Sequence, residues 1–113
     1  MDPITLAIVA GYDAGGTKAD DQALVDAYKL LKDLLKRKFG TGSPLAKALD
    51  EFEAQPDSPS RKAKLAWESV TAKTFQDSDV LRTATNLIDQ IKAQPSGLQY
   101  IQNAQKSVGN NIT

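Results

Sequence analysis

The chain has 113 residues, 41% of them hydrophobic, which suffices for one modest core and leaves no room for a second independent domain. Fourteen basic residues balance fourteen acidic ones, so the basic excess of a dedicated nucleic-acid binder is missing and no nucleic-acid partner is expected. Cysteine and histidine are both absent, which removes thiol nucleophiles, the usual neutral-pH general base and the commonest transition-metal ligands. No catalytic residue, metal site or cofactor is therefore expected, and the chain is read as a non-enzyme.

The elements read as helices, and none reads as a strand. Asp2-Pro3 is an N-cap followed by a proline whose φ already suits a first turn. The helix it opens runs through Ile4, Leu6, Ala7, Ile8, Val9 and Ala10, the longest apolar run in the chain. Gly11, Gly15 and Gly16 then weaken it. This run is far short of the roughly 20 apolar residues that cross a bilayer. Asp2 also stands where a secretory signal would carry basic residues, so the chain is expected to be soluble as made.

From about Asp20 to Phe39 the period is strongest: Leu24, Ala27, Tyr28, Leu31, Leu34 and Leu35 share one helix face. Gly40 stops this helix, and Lys36, Arg37 and Lys38 complement the dipole of its last turn. Ser43-Pro44 opens the next helix, with Leu45, Ala48, Leu49 and Phe52 as its stripe, ending before Pro56. Ser58-Pro59 repeats the start, and Ala63, Ala66, Trp67, Val70 and Thr74 follow at helical spacing, which predicts Trp67 in the core. Asp77 or Ser78 caps a last long helix whose stripe is Val80, Leu81, Ala84, Leu87, Ile88 and Ile91, with Pro95 beyond it.

The fold expected is all-α: an antiparallel four-helix bundle with an additional short apolar helix at the amino terminus. Residues 1–95 form this domain. Residues 96–113 are amide-rich, from Gln99 and Gln102 to Asn110 and Asn111, and read as a polar tail or linker.

Two features are candidate sites. In the first, Ile4, Leu6, Ala7, Ile8 and Val9 engage a membrane. About eight apolar residues at ~1.5 Å rise reach only roughly 12 Å, so one copy inserts shallowly and does not span. The competing reading is that this helix simply packs in the core. The second is the basic cluster of Lys29, Lys32, Lys36, Arg37 and Lys38 as a lipid-headgroup site; each cation near anionic lipid contributes ~1 kcal/mol. Asp26 and Asp33 lie close enough in sequence to offset part of that field, and a solvated helix face is the plainer reading. Asp20-Asp21 and Asp50-Glu51 are adjacent pairs that point apart on a helix and make no metal site.

The opening Met1-Asp2-Pro3-Ile4-Thr5-Leu6, Asp26-Ala27-Tyr28, and Leu34-Leu35-Lys36-Arg37-Lys38-Phe39-Gly40 resemble the bacterial Bell domains. So do the acidic stretch Ala48 to Pro56, the segment Gln76 to Asp79, and Ile91-Lys92-Ala93-Gln94-Pro95. Bell domains are counterparts of the fungal HeLo and HeLo-like domains and of the helical executioner of necroptosis. The resemblance implies a membrane-targeting cell-death effector domain in bacterial immunity. It implies a cytoplasmic protein that relocates to the inner face of the cell membrane, with anionic lipid and further copies of itself as partners. An upstream amyloid-motif partner would trigger it through a C-terminal motif outside this chain, to which Gln99 to Thr113 resembles the lead-in. The alternative is a helical adaptor or oligomerisation module without lipid activity. Tyr12 and Asp13 interrupt the apolar stretch, and a charge at bilayer depth costs about 2.5–3.5 kcal/mol, which opposes insertion.

Overall fold

A computed structural model describes residues 2–16 and 21–109 of the chain. The described residues are helical throughout their regular structure: α1 (Pro3–Asp13), α2 (Gln22–Phe39), α3 (Pro44–Ala54), α4 (Pro59–Thr71), α5 (Ser78–Lys92) and α6 (Gly97–Gly109), with a 3-10 turn at Thr74–Gln76 before α5. The all-helical bundle expected from the sequence is what forms. Lys18 and Asp20, and the tail residues Asn110, Asn111 and Ile112, lie outside the described residues.

The caps act as the sequence predicts. The Asp2 carboxylate accepts from the backbone N–H of Ile4 at 3.1 Å and of Thr5 at 2.9 Å. Asp21, Ser43, Ser58 and Asp77 cap α2 to α5 in the same way. Helix α1 runs further than expected, to Asp13, and ends in a Schellman turn. The Gly16 N–H donates to the Gly11 carbonyl at 2.8 Å and the Gly15 N–H to that of Tyr12 at 3.0 Å, with Gly15 at φ 99°. Gly16 lacks a side chain for a different reason: a Cβ there would lie 2.7 Å from Cγ of Tyr28. The glycines are therefore a stop and a close approach onto α2.

Helix α1 is not an appendage to a four-helix core. It packs most extensively on α5 and α6 and also touches α2 and α4. Ile4, Ala7, Ile8, Val9 and Ala10 are fully buried. The expected additional helix is instead the axis around which the others close. An element that is apolar on nearly every face is stable only when covered on nearly every side.

The stripes assigned to α2 (Leu24 through Leu35) and α3 (Leu45 through Phe52) are buried as expected, as are Val80, Ala84, Leu87 and Ile91 of α5. Helix α4 corrects the sequence reading. Its inner face is Lys62, Leu65, Ala66 and Ser69, while Trp67 is 71% exposed and Val70 50%. The helix has two overlapping stripes. The inner one wins because Leu65 fills the core and Ser69 meets the amino end of α1.

The residues read as a polar tail are also corrected, as far as they are described. From Gly97 to Gly109 the chain is helical and docks on α1, α5 and α4, burying Ile101, Ala104 and Val108. Those residues are spaced by three and four. A helix that turns most of its circumference to solvent needs only such a thin apolar seam, which its amide-rich composition conceals.

Candidate functional site

The amino end of α1 is held by a polar clasp. Besides its cap bonds, Asp2 accepts a hydrogen bond from the Thr5 hydroxyl at 2.7 Å and another from the Ser69 hydroxyl at 2.9 Å. The Ser69 hydroxyl lies 2.6 Å from that of Thr74, which also donates to the Ser69 carbonyl at 3.2 Å. Thr5, Ser69 and Thr74 are all buried. One carboxylate thus ties α1 to the end of α4 and to the 3-10 turn, across 67 residues of chain. Bonds to a charged acceptor in such a site are about twice as strong as neutral ones.

The residues expected to engage a membrane lie behind this clasp. Ile4, Ala7, Ile8 and Val9 are fully buried and Leu6 is half-buried. In the closed bundle none of the four buried residues can reach lipid. Exposing Ile4, Ile8 and Val9 to water would cost roughly 5–9 kcal/mol at about 1.5–3 kcal/mol for each side chain. That is comparable with the whole stability of a small domain, about 5–15 kcal/mol. Helix α1 has 11 residues, about 16 Å at 1.5 Å each. Among the described residues no helix is long and apolar enough to cross a membrane.

The expected basic cluster is not a free cationic face. Lys32 pairs with Glu53 at 2.8 Å, Lys36 with Asp50 at 2.9 Å, and Lys38 with Asp77 and Asp79 at 2.9 and 3.0 Å. These pairs fasten α2 to α3 and to the start of α5. Lys29 and Arg37 are exposed and have no ion pair among the described residues. The hydrogen bond to Asp77 and then that to Asp79 push the Lys38 ammonium above its usual pKa, and Lys38 in turn holds the Asp77 carboxyl below the carboxylate range. Glu53 also accepts the Tyr28 phenol at 2.7 Å. Burial, then that bond, pushes the phenol well up.

At the other end of α1, Asp13 lies within electrostatic reach of Lys62 and Asp57. Partial burial raises its carboxyl above the usual range, the Lys62 ammonium opposes that shift and Asp57 adds to it. Among the described residues no three histidine, cysteine, aspartate or glutamate side chains are grouped as metal ligands.

The sequence matches the Het-E N-terminal domain over residues 1–113, the full chain. The chain belongs to that family. The Het-E N-terminal domain is a helical domain of the HeLo-like, cell-death-related group, so a role related to cell-death signalling comes with the membership. No curated protein and no solved structure shows a match.

Within this Het-E N-terminal domain, three features escaped the sequence reading. The clasp joins Asp2 to Ser69 and Thr74, a distance in sequence that no local spacing encodes. Trp67 lies on the outer face of α4 and not in the core. The Ile101–Ala104–Val108 seam has helical spacing, but its amide-rich surroundings conceal it.

Proposed function

We propose that this Het-E N-terminal domain is a non-enzymatic, membrane-targeting cell-death effector whose α1 leaves the bundle to engage lipid once copies are clustered. The observation that carries this reading is α1 itself. It has no charged residue before Asp13, is covered on nearly every side, and is fastened at its amino end by hydrogen bonds. A helix with that surface needs either the bundle or a bilayer around it. Family membership supports the link to cell death, and the likeness to bacterial Bell domains supports bacterial immunity with amyloid-templated clustering as the trigger. On this reading the protein rests in the cytoplasm and moves to the inner face of the membrane. At about 16 Å the helix reaches roughly half of a ~30 Å hydrocarbon core, so it inserts in one leaflet or acts as one of several copies.

The test is dye release from anionic liposomes by protein clustered through a fused, chemically dimerised tag, against the same protein unclustered. Leakage is expected from the clustered form only. Intact liposomes after clustering would refute the reading and leave the adaptor alternative, in which clustering is the whole output.

A further inference from the structure

The face that α4 turns outward is as unusual as the one α1 turns inward. Helical spacing brings Ser60, Ala63, Lys64, Trp67, Val70 and Thr71 onto one side. Trp67 is the chain's only tryptophan and is 71% exposed, with Val70 50% exposed a turn further on. Phe75, just beyond the helix, is 40% exposed. Singly exposed aliphatic residues are ordinary, but a tryptophan beside a valine on an outer helix face marks a surface that binds something.

Charge says what it binds. Apart from the buried Lys62, residues 59–73 carry Arg61, Lys64 and Lys73 against the single acid Glu68. Lys64 and Lys73 are exposed and have no carboxylate within ion-pairing distance among the described residues. Arg61 donates to the Glu51 carbonyl at 2.7 Å, which leaves its charge uncompensated. This is the opposite of α2, whose Lys32, Lys36 and Lys38 are already paired within the fold. A second copy docking through the same face would set this positive surface against itself. An anionic bilayer fits all of it: the indole at the headgroup level, Val70 against the acyl boundary and the lysines on phosphate.

We propose that the outer face of α4, centred on Trp67 with Lys64 beside it and the exposed Lys73 just past the helix end, docks the closed domain on anionic lipid before α1 is released. This deepens, and in that sense rests on, the membrane reading above, but it concerns a different surface and a different step. Docking needs no opening of the bundle, and α1 release needs no contact by α4.

Trp67 is its own reporter. Unclustered protein is titrated with phosphatidylglycerol vesicles and, separately, with phosphatidylcholine vesicles, following tryptophan emission and co-sedimentation. The expected result is a blue shift and sedimentation with phosphatidylglycerol only, weakened by salt. The double variant Lys64→Glu/Lys73→Glu, both at exposed positions, should bind at least about 25-fold more weakly, since each lost lysine is worth about fivefold and each glutamate adds repulsion. Val70→Asp should also bind more weakly while leaving the far-UV circular dichroism unchanged. An unshifted spectrum with phosphatidylglycerol overturns the proposal. So does binding that ignores the lysine changes, or light scattering that shows the face occupied by a second copy. Docking without leakage on clustering would retain this surface and sink the proposed function; leakage without docking would do the reverse.

Discussion

Replacing Asp2 with alanine removes the one carboxylate that holds the amino end of α1. The side chain accepts from Ile4 N–H at 3.1 Å, Thr5 N–H at 2.9 Å, the Thr5 hydroxyl at 2.7 Å and the Ser69 hydroxyl at 2.9 Å. Loss of an N-cap costs about 1 kcal/mol, with a range of about 0.5–2. Two buried hydroxyls, of Thr5 and Ser69, lose their acceptor, which costs a further ~1–3 kcal/mol. Ser69 softens the second figure, because its hydroxyl can turn fully to Thr74, already 2.6 Å away. The sum is about 2–3 kcal/mol, or roughly 8–12 °C in Tm for a domain of this size. Thermal unfolding followed by far-UV circular dichroism measures it. Ser69→Ala leaves the cap bonds intact and removes the links to Asp2 and to the Thr74 hydroxyl, which keeps its bond to the residue-69 carbonyl; it should lower Tm by about a third as much. The double variant should fall short of the sum, because both changes remove the same bond. A fall of less than about 2 °C for Asp2→Ala would refute the view that the clasp fastens α1.

Asp13→Asn should stabilise the domain at neutral pH. The carboxyl's folded-state pKa lies above its unfolded value, so ionised Asp13 subtracts stability fully above the folded pKa and not at all below the unfolded one. The Tm difference between variant and parent should therefore shrink as pH falls through the carboxylate range; a difference that grows would contradict the assignment. Asp77 has the opposite sign. Its depressed pKa means that its contribution is present above the unfolded carboxylate pKa and fades as pH drops through the lower folded value, and Lys38→Ala should flatten that limb of a stability–pH curve. Gly97→Ala should cost ~3 kcal/mol in urea unfolding, the upper end for overpacking, because its methyl would overlap the Ile91 carbonyl oxygen at the turn into α6. An unchanged midpoint would mean that α6 is not docked on α5.

Helices α2 and α3 were legible residue by residue because each buries one face and shows water the other, which is the condition under which a 3.6-residue period can be read. Helix α4 fails that condition. Its outer face carries Trp67 and Val70 while its inner face carries Lys62 and Ser69, so hydrophobicity alone picks the wrong side. Lys62 is tolerated inside because its long stem is apolar and the Asp13 carboxylate is near enough to interact with its charge. Ser69 is tolerated because Asp2 and Thr74 satisfy it. Each inward choice depends on a partner from a distant segment, which a local period cannot contain. The same holds for α1: its apolar surface was plain in the sequence, but only the packing of α5 and α6 shows that the closed bundle consumes it.

That consumption constrains any route by which α1 could reach lipid. Moving Ile4, Ile8 and Val9 from the core into hydrocarbon roughly returns the transfer free energy lost on leaving, since both surroundings are apolar. Two terms are not returned. One is the clasp, about 2–3 kcal/mol by the reasoning for Asp2. The other is the space α1 vacates between α5 and α6, because an unfilled core adds a cavity penalty beyond simple transfer. Asp13 adds a third if it is drawn to depth. A single copy on a bilayer is therefore left closed by several kcal/mol, a population well below one per cent. Clustering changes the balance by letting released helices cover one another and by raising the local concentration at the membrane. On the proposed membrane reading, a variant lacking the clasp should need fewer copies per cluster to cause leakage. If Asp2→Ala requires as large a cluster as the parent, the barrier to release lies somewhere other than the amino end of α1.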